Sequence, residues 1–523
     1  MTTYLTKSVN KPLGGAFAKR YIPIVQVSFH TDTQCYQARG IIDGSSTNLD
    51  PTDQLLSVTT TKTLSAPAGT FSVKLAGDGW FMSDETPKLK PNDLVIIYMG
   101  YKAANKTVTW VDGTAHAATE DLGTIMIGLI DTVTRTRAGG GNGGQPQVTT
   151  TVTGRDFGKL LIKPTLRFYP ELNWGTAKEQ HFFLTQTGWC AMLEAFTGEK
   201  AIIGTPAKIL DTIMRSLLKK LVDIKWKVYD DNTLGAVGGP KLASLGNMLR
   251  YRFAQTEFTT PFYMTAQQYE GSIWNLMERV NFKPFTELFV DTRDRWDVSW
   301  GEDGHDRQVV TEACEESSDS DKGTLSEDKG RWDYPATMFG KKDGAQAVVV
   351  YRNTPFTQEL WAKLRTHEVL SEDIITETLS YSDNENYNLF WSGTTLTPFA
   401  SFDLKRLNPP LLNEENALRY GLNTLEVQIE GMQLLKESES AQTVSIVAMA
   451  KSLNQKLKDW FEHNDTYLSG SLEVRGKADL RIGQKLIHKD LGLEFYIEGV
   501  TQNFQVYGEW HTTVQVTRGR KIT

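Results

Sequence analysis

Much of the chain alternates between apolar and polar positions. In Gly69 to Leu75, Phe71, Val73 and Leu75 are separated by Ser72 and Lys74, a period of two that turns one side of a strand to a core and the other to water. Val514 and Val516 alternate in the same way with Thr513, Gln515 and Thr517. Residues 494 to 520 therefore read as a half-buried antiparallel hairpin. Its arms run from about Phe495 to Phe504 and from about Trp510 to Thr517, with Gly508 in the turn. Leu94 to Met99 is instead continuously apolar, as a strand covered on both faces requires. Pro91-Asn92-Asp93 is the turn before it. Further strands are predicted at Ile22 to Phe29, Leu55 to Thr61, Thr286 to Val290, Ala347 to Tyr351 and Thr424 to Ile429. A single strand is expected from Ile374 to Phe390, and others around Leu472 and Val474 and from Ile482 to Ile487.

Three stretches change to a helical period. Ile209, Ile213, Leu217 and Leu221 recur every four residues, flanked by Leu210, Met214 and Leu218. Thr205 can cap this helix and Pro206 suits its first turn. Ile273, Trp274, Leu276, Met277 and Val280 give a second apolar face, with Pro284 ending the helix before the next strand. Ala441 to Phe461 is a third helix, and Phe182 to Thr197 a further candidate. Polar connections are expected at Tyr101 to Asp121, Leu234 to Pro240 and Gly301 to Lys329, the last strongly acidic. Gly139 to Gly144 lacks the Lys-Ser/Thr of a phosphate-cradling loop and precedes a strand, so it reads as a hairpin tip.

At 523 residues the chain has room for three or four domains. A net charge of -7 disfavours wholesale nucleic-acid binding. Cys35, Cys190 and Cys314 are scattered and odd in number, which argues against a disulfide framework or a zinc site. The sequence shows no signal-peptide pattern and no run of 18 apolar residues, so folding in cytoplasm and no membrane segment are expected.

Chemistry-bearing motifs are sparse. Arg155-Asp156 reads as a local ion pair fixing a strand-to-helix corner, because a lone Asp without a partner base is not an active site. Asp319, Asp321 and Gly323 approach calcium-loop spacing but lack the later Glu. Lys219-Lys220 sits where a helix dipole favours cations. The eight histidines show neither HxH nor HExxH spacing, and GxSxG is absent. We therefore assign no catalytic, cofactor-binding or metal-binding residue, and expect no enzyme.

Several strings, taken in order, resemble phage tail baseplate hub proteins. They are Pro91 to Ile96, Gly128 to Val133, Gly154 to Leu161 ("GRDFGKLL"), Ser272 to Asp291, "VYRNTPF", "YNLF" within Ile374 to Phe390, Tyr420-Gly421-Leu422, and the closing hairpin. Asn92 stands where the family usually has Gly, and Asn423 where Arg is common.

The resemblance implies an α+β, β-rich chain with two tail-tube-like antiparallel β-barrel domains, a small helical domain and a C-terminal α/β-hairpin module. The corresponding expectation is a flexible arm at 1–20, a first barrel at 21–165 and helices at 166–260. A second barrel follows at 261–400, with its acidic insertion at about 301–330, and then the C-terminal domain at 401–523. It also implies a homotrimeric ring in the virion tail, assembled in the host cytoplasm, between tail tube and central spike. Its partners would be the spike, the tube or a distal tube-initiator protein, and tape-measure and wedge proteins. DNA would pass through the lumen without specific binding. A tail-associated cell-wall hydrolase or a receptor-binding tail protein are the alternatives. The sequence does not distinguish contractile from non-contractile tails or related injection machines.

Overall fold

The computed structural model describes residues 21–31, 35–41, 55–83, 86–103, 122–139, 147–168, 203–204, 206–214, 225–228, 241–244, 249–254, 256, 260–261, 269–293, 346–383, 385–395, 409–430, 439–506 and 509–522. The expected helix at Phe182 to Thr197, Lys219-Lys220, the acidic stretch and the tip beyond Gly139 lie outside these residues.

The first stretch folds into β1 (Tyr21–His30), β2 (Cys35–Ile41), β3 (Leu55–Thr63), β4 (Thr70–Ala76), β5 (Leu94–Ala103), β6 (Leu122–Ala138) and β7 (Gln147–Asp156), then α1 (Gly158–Ile162). After α2 (Pro206–Thr212) come β8 (Leu249–Phe253), α3 (Ile273–Glu278), β9 (Thr286–Arg293), β10 (Gln346–Asn353) and α4 (Gln358–Ala362). Next are β11 (Thr366–Val369), β12 (Ile374–Ser380), β13 (Leu389–Thr395), β14 (Leu411–Leu412), α5 (Glu414–Tyr420) and β15 (Thr424–Glu430). The chain closes with α6 (Glu439–Phe461), β16 (Leu468–Arg475), β17 (Lys485–His488), β18 (Leu493–Gln505) and β19 (Trp510–Lys521).

The β-rich α+β class holds. One 13-stranded sheet runs β2-β1-β5-β6-β7-β4-β3-β18-β19-β16-β12, with β17 on β18 and β11 on β17. Every pairing in it is antiparallel except β11 with β17. The closing hairpin joins its parts. One edge of β18 pairs with β17 over 493–496 and then with β3 over 499–505. Strands from the beginning, middle and end of the chain thus share one sheet. Among the described residues its strand path is open, so the two expected barrels are not seen as closed barrels. Two smaller mixed sheets, β8-β10-β9 and β14-β13-β15, lie beside it.

Alternation explains the layers. Along β5, Leu94 and Ile96 enter one core with α1, α2 and α3, while Val95, Ile97 and Met99 enter the core on the opposite face with Phe71 and Val73. The apolar run is therefore covered on both faces, as its sequence requires. Asn92 adopts φ +70° in the preceding turn, a conformation Asn tolerates better than most residues.

The closing hairpin departs from a half-wet strand pair. Val514 and Val516 are buried and Gln515 is exposed, as expected. On β18, however, Phe495 to Ile497 are all buried. Tyr496 faces an aromatic core with Trp361 and Trp460, while Phe495 and Ile497 face the sheet's own core. Helices α4 and α6 cover the side that alternation alone would leave to solvent. The stretch Ile374 to Phe390 also differs: it forms two strands, β12 and β13, separated by a polar turn. The helix expected before Pro284 starts only at Ile273, where the Ser272 side chain accepts a hydrogen bond from the Asn275 backbone N–H.

Candidate functional site

Three buried polar joints tie the molecule together, and the strings of the family resemblance supply most of their members. The first centres on Arg352 of β10. Alternation sends its neighbour Tyr351 into the core and Arg352 to the opposite face. Antiparallel register places Glu287 of β9 directly across. The Arg352 guanidinium donates to Glu287 Oε2 at 3.0 Å, to the Gly483 carbonyl at 2.6 Å and to the Tyr496 hydroxyl at 3.0 Å. Tyr496 in turn donates to Glu287 Oε1 at 2.6 Å. Gly483 has φ +69°, and a Cβ there would come within 2.5 Å of Arg352 Nη2, so both backbone and space call for glycine. Burial would lower the Arg352 pKa, but Tyr496 and Glu287 raise it well above the ordinary value. Burial pushes the Tyr496 hydroxyl well up, with Glu287 adding to the shift. Tyr496 stays a neutral donor and Arg352 a cation. Three separated strings, "FTELFVD", "VYRNTPF" and "EFYIEGV", thus close on one ion pair.

The second joint centres on Lys62 of β3. Its Nζ lies 3.2 Å from Asp156 Oδ2 and 4.0 Å from Asp291 Oδ1, and donates to Thr292 Oγ1 at 2.9 Å. Asp156 belongs to "GRDFG" at the end of β7, and Asp291 to "ELFVD" on β9. Asp156 Oδ1 accepts the Gly158 backbone N–H at 2.9 Å, which fixes the turn into α1. Burial raises the Asp156 carboxyl pKa, although Lys62 beside it pulls the other way.

Arg155 and Asp156 therefore do not form the local ion pair expected from their adjacency. Successive strand residues point to opposite faces, so Arg155 turns to Asp131 of β6, with bonds of 2.7 and 3.2 Å. Lys159 of α1 meets the same carboxylate at 2.8 Å. Burial opposes ionisation of Asp131, but Arg155 and Lys159 together hold its pKa below the usual value.

The third joint is built from asparagines. Asn388, within "YNLF", is fully buried. Its amide donates to the Gly421 carbonyl at 2.7 Å and to Asn416 Oδ1 at 3.3 Å, while its oxygen accepts the Asn423 backbone N–H at 2.8 Å. The Asn423 side chain donates to the Asn386 carbonyl at 2.7 Å. Asn423 thus binds backbone 37 residues away and pins the turn between β12 and β13 to the start of β15.

The roles of Lys62, Asp131, Gly483 and Asn416 in these joints were not expected from the sequence, although Gly483 reads there as a turn residue and Asp131 lies in the string Gly128 to Val133. Lys62 had a signal: Val58, Thr60 and Lys62 occupy the inward positions of β3, so its charge had to be met inside. The others carry no such mark. Among the described residues no group of three or more His, Cys, Asp or Glu could hold a metal ion. No helix among them is long and apolar enough to cross a membrane.

A fourth cluster places buried His367 of β11 between Gln484, hydrogen-bonded to Nε2, and Asp479, whose Oδ2 lies 3.3 Å from Nδ1. Burial would raise the Asp479 pKa, but His367, Lys477 and Arg365 hold it far below the carboxylate range. Such a group adds stability above its unfolded pKa of about 3.9, lost as pH falls through the folded value. Asp479→Asn is expected to cost stability at pH 7, with the deficit shrinking toward pH 3. Denaturation midpoints at pH 7, 5 and 3 check this, and a deficit that does not change with pH contradicts it.

No protein-family model matches the chain, and no curated protein matches it by sequence. Solved structures similar to it include tail and secretion proteins. The 43 kDa tail protein of prophage MuSo2 from Shewanella oneidensis is 9% identical with a TM-score of 0.40; the likeness covers 94% of this chain and 98% of that one. A tail protein from Neisseria meningitidis MC58 is 8% identical with a TM-score of 0.42, over 94% and 96%. An E. coli component of the type VI secretion system is 8% identical with a TM-score of 0.31, over 88% and 73%.

Proposed function

We propose that the chain is a structural subunit of a phage tail baseplate hub. Three copies would form a ring that joins the tail tube to the central spike and surrounds the DNA channel. The observation that carries this reading is the convergence of the hub-like strings. Residues that the resemblance marks far apart in sequence, Glu287, Arg352 and Tyr496, meet in one buried joint. A second pair, Asp156 and Asp291, meets at Lys62. Motif residues spent on holding sheets together suit a scaffold, where rigidity is the function and no catalytic centre is required. The two β-rich parts would act as tube-like units. Among the described residues the open sheet also ends at strands β2 and β12, edges that an assembly can cover.

Co-expression with the tube and spike proteins of the same phage tests the reading. The chain is expected to co-purify with both as one complex of fixed stoichiometry. A chain that elutes free of both contradicts it.

A further inference from the structure

Where β19 passes the ends of α4 and α6, an open pocket of about 60 Å³ is lined by Phe356, Trp361, Trp460, Tyr467, Arg518 and Arg520. Two arginines on one strand end face aromatic rings. Arg518 lies 3.7 Å over Trp460, and Arg520 4.3 Å over Trp361, so both forks are held flat by cation–π contact.

The two differ in their counter-charge. Arg520 donates to the Glu494 carboxylate at 2.9 Å. Arg518 donates only to neutral acceptors, the Trp460 carbonyl at 2.5 Å and Asn464 Oδ1 at 3.1 Å. Among the described residues no carboxylate makes an ion pair with it. A crowded cation normally has one. Burial lowers the Arg518 pKa to about 10, outweighing the more distant pull of Tyr467, Glu498 and Glu385. Arg518 also has φ +57°, a left-handed backbone that a long side chain rarely adopts. Among the described residues the buried indole N–H of Trp361, 2% exposed, has no acceptor. Asp459 on the rim is engaged by Gln455 at 2.6 Å.

We propose that this pocket receives a carboxylate side chain from an acidic segment of another polypeptide, with Arg518 as its ion-pair partner. The size fits: roughly 300–1,000 Å³ is usual for small-molecule sites, and this pocket has room for one carboxylate and little else. The chemistry fits as well, since a guanidinium already fixed by stacking presents its remaining N–H groups to a carboxylate at small entropic cost.

The test titrates the full chain into a dye-labelled, end-blocked peptide, Gly-Ser-Glu-Glu-Ser-Gly, and its Gln-Gln counterpart, following anisotropy. The Glu peptide is expected to bind at least ten-fold tighter than the Gln peptide and to weaken with salt. Arg518→Gln should lose at least ten-fold, and Trp361→Phe about three-fold. Equal affinity for the two peptides overturns the assignment, as does unchanged binding to a folded Arg518→Gln. Inorganic phosphate that binds at Arg518 while the Glu peptide does not would make this a free-anion site instead and overturn the polypeptide source. The peptide swap needs no protein variant, so misfolding of Arg518→Gln leaves a decisive comparison. Peptide binding by the isolated chain would stand whether or not rings form.

Discussion

Arg352→Met is expected to lower stability by about 3–5 kcal/mol, because it strands Glu287 in the interior with only the Tyr496 hydroxyl for company. The Glu287 side chain is 14% exposed, so water replaces the lost cation only in part. Two controls separate the ion pair from lost packing. Arg352→Lys keeps the charge, but an ammonium cannot reproduce the flat fork that reaches Glu287, Gly483 and Tyr496 together; it should fall between wild type and Met. The double variant Arg352→Met, Glu287→Gln should recover part of the loss, with a coupling of about 1–3 kcal/mol. Denaturant midpoints for wild type, Arg352→Met, Glu287→Gln and the double variant give that cycle. Additive losses would show that Arg352 contributes through contact area alone.

Lys62→Met should have an effect of similar size, about 3–5 kcal/mol at pH 7, but with a distinctive pH dependence. Asp156 would then lose the cation 3.2 Å from it, and Asp291 the same cation at 4.0 Å, in a site where both carboxylates are almost fully buried. The Asp156 carboxyl is already raised by burial with Lys62 present, and removing Lys62 raises it further. A carboxyl raised on folding contributes stability at low pH and loses it as pH rises through the folded value. The variant should therefore lie closer to wild type at pH 5 than at pH 7. Melting temperatures at the two pH values check this, with the larger drop expected at pH 7. A difference that is the same at both pH values would mean that the acids keep their charge without Lys62.

Short-range order was largely legible in the sequence. Phe71, Val73 and Leu75 face inward as their alternation requires, and Leu94 to Met99 is covered on both sides. Asn92 takes the left-handed turn and Val514 and Val516 are buried. These features depend on neighbours two to four residues away, which a pattern can show. The joints were not legible. Arg352 reaches Gly483 across 131 residues, and Lys62 reaches Thr292 across 230. Spacing carries no record of such partners. Arg155 and Asp156 show the cost of assuming a neighbour: adjacency on a strand separates two side chains. Likewise β18 looked half-wet because nothing in its own sequence announces that α4 and α6 lie over Tyr496. What did carry across distance was wording. The strings that resemble hub proteins turned out to hold the buried partners of one another.

The central claim, a ring-forming hub subunit, is tested most directly by the mass of the purified full chain in solution by light scattering. One copy is 58.7 kDa, and the account predicts three times that mass, alone or in complex with a spike protein. A monodisperse species at 58.7 kDa, unchanged at micromolar concentration and when spike protein is added, would contradict it.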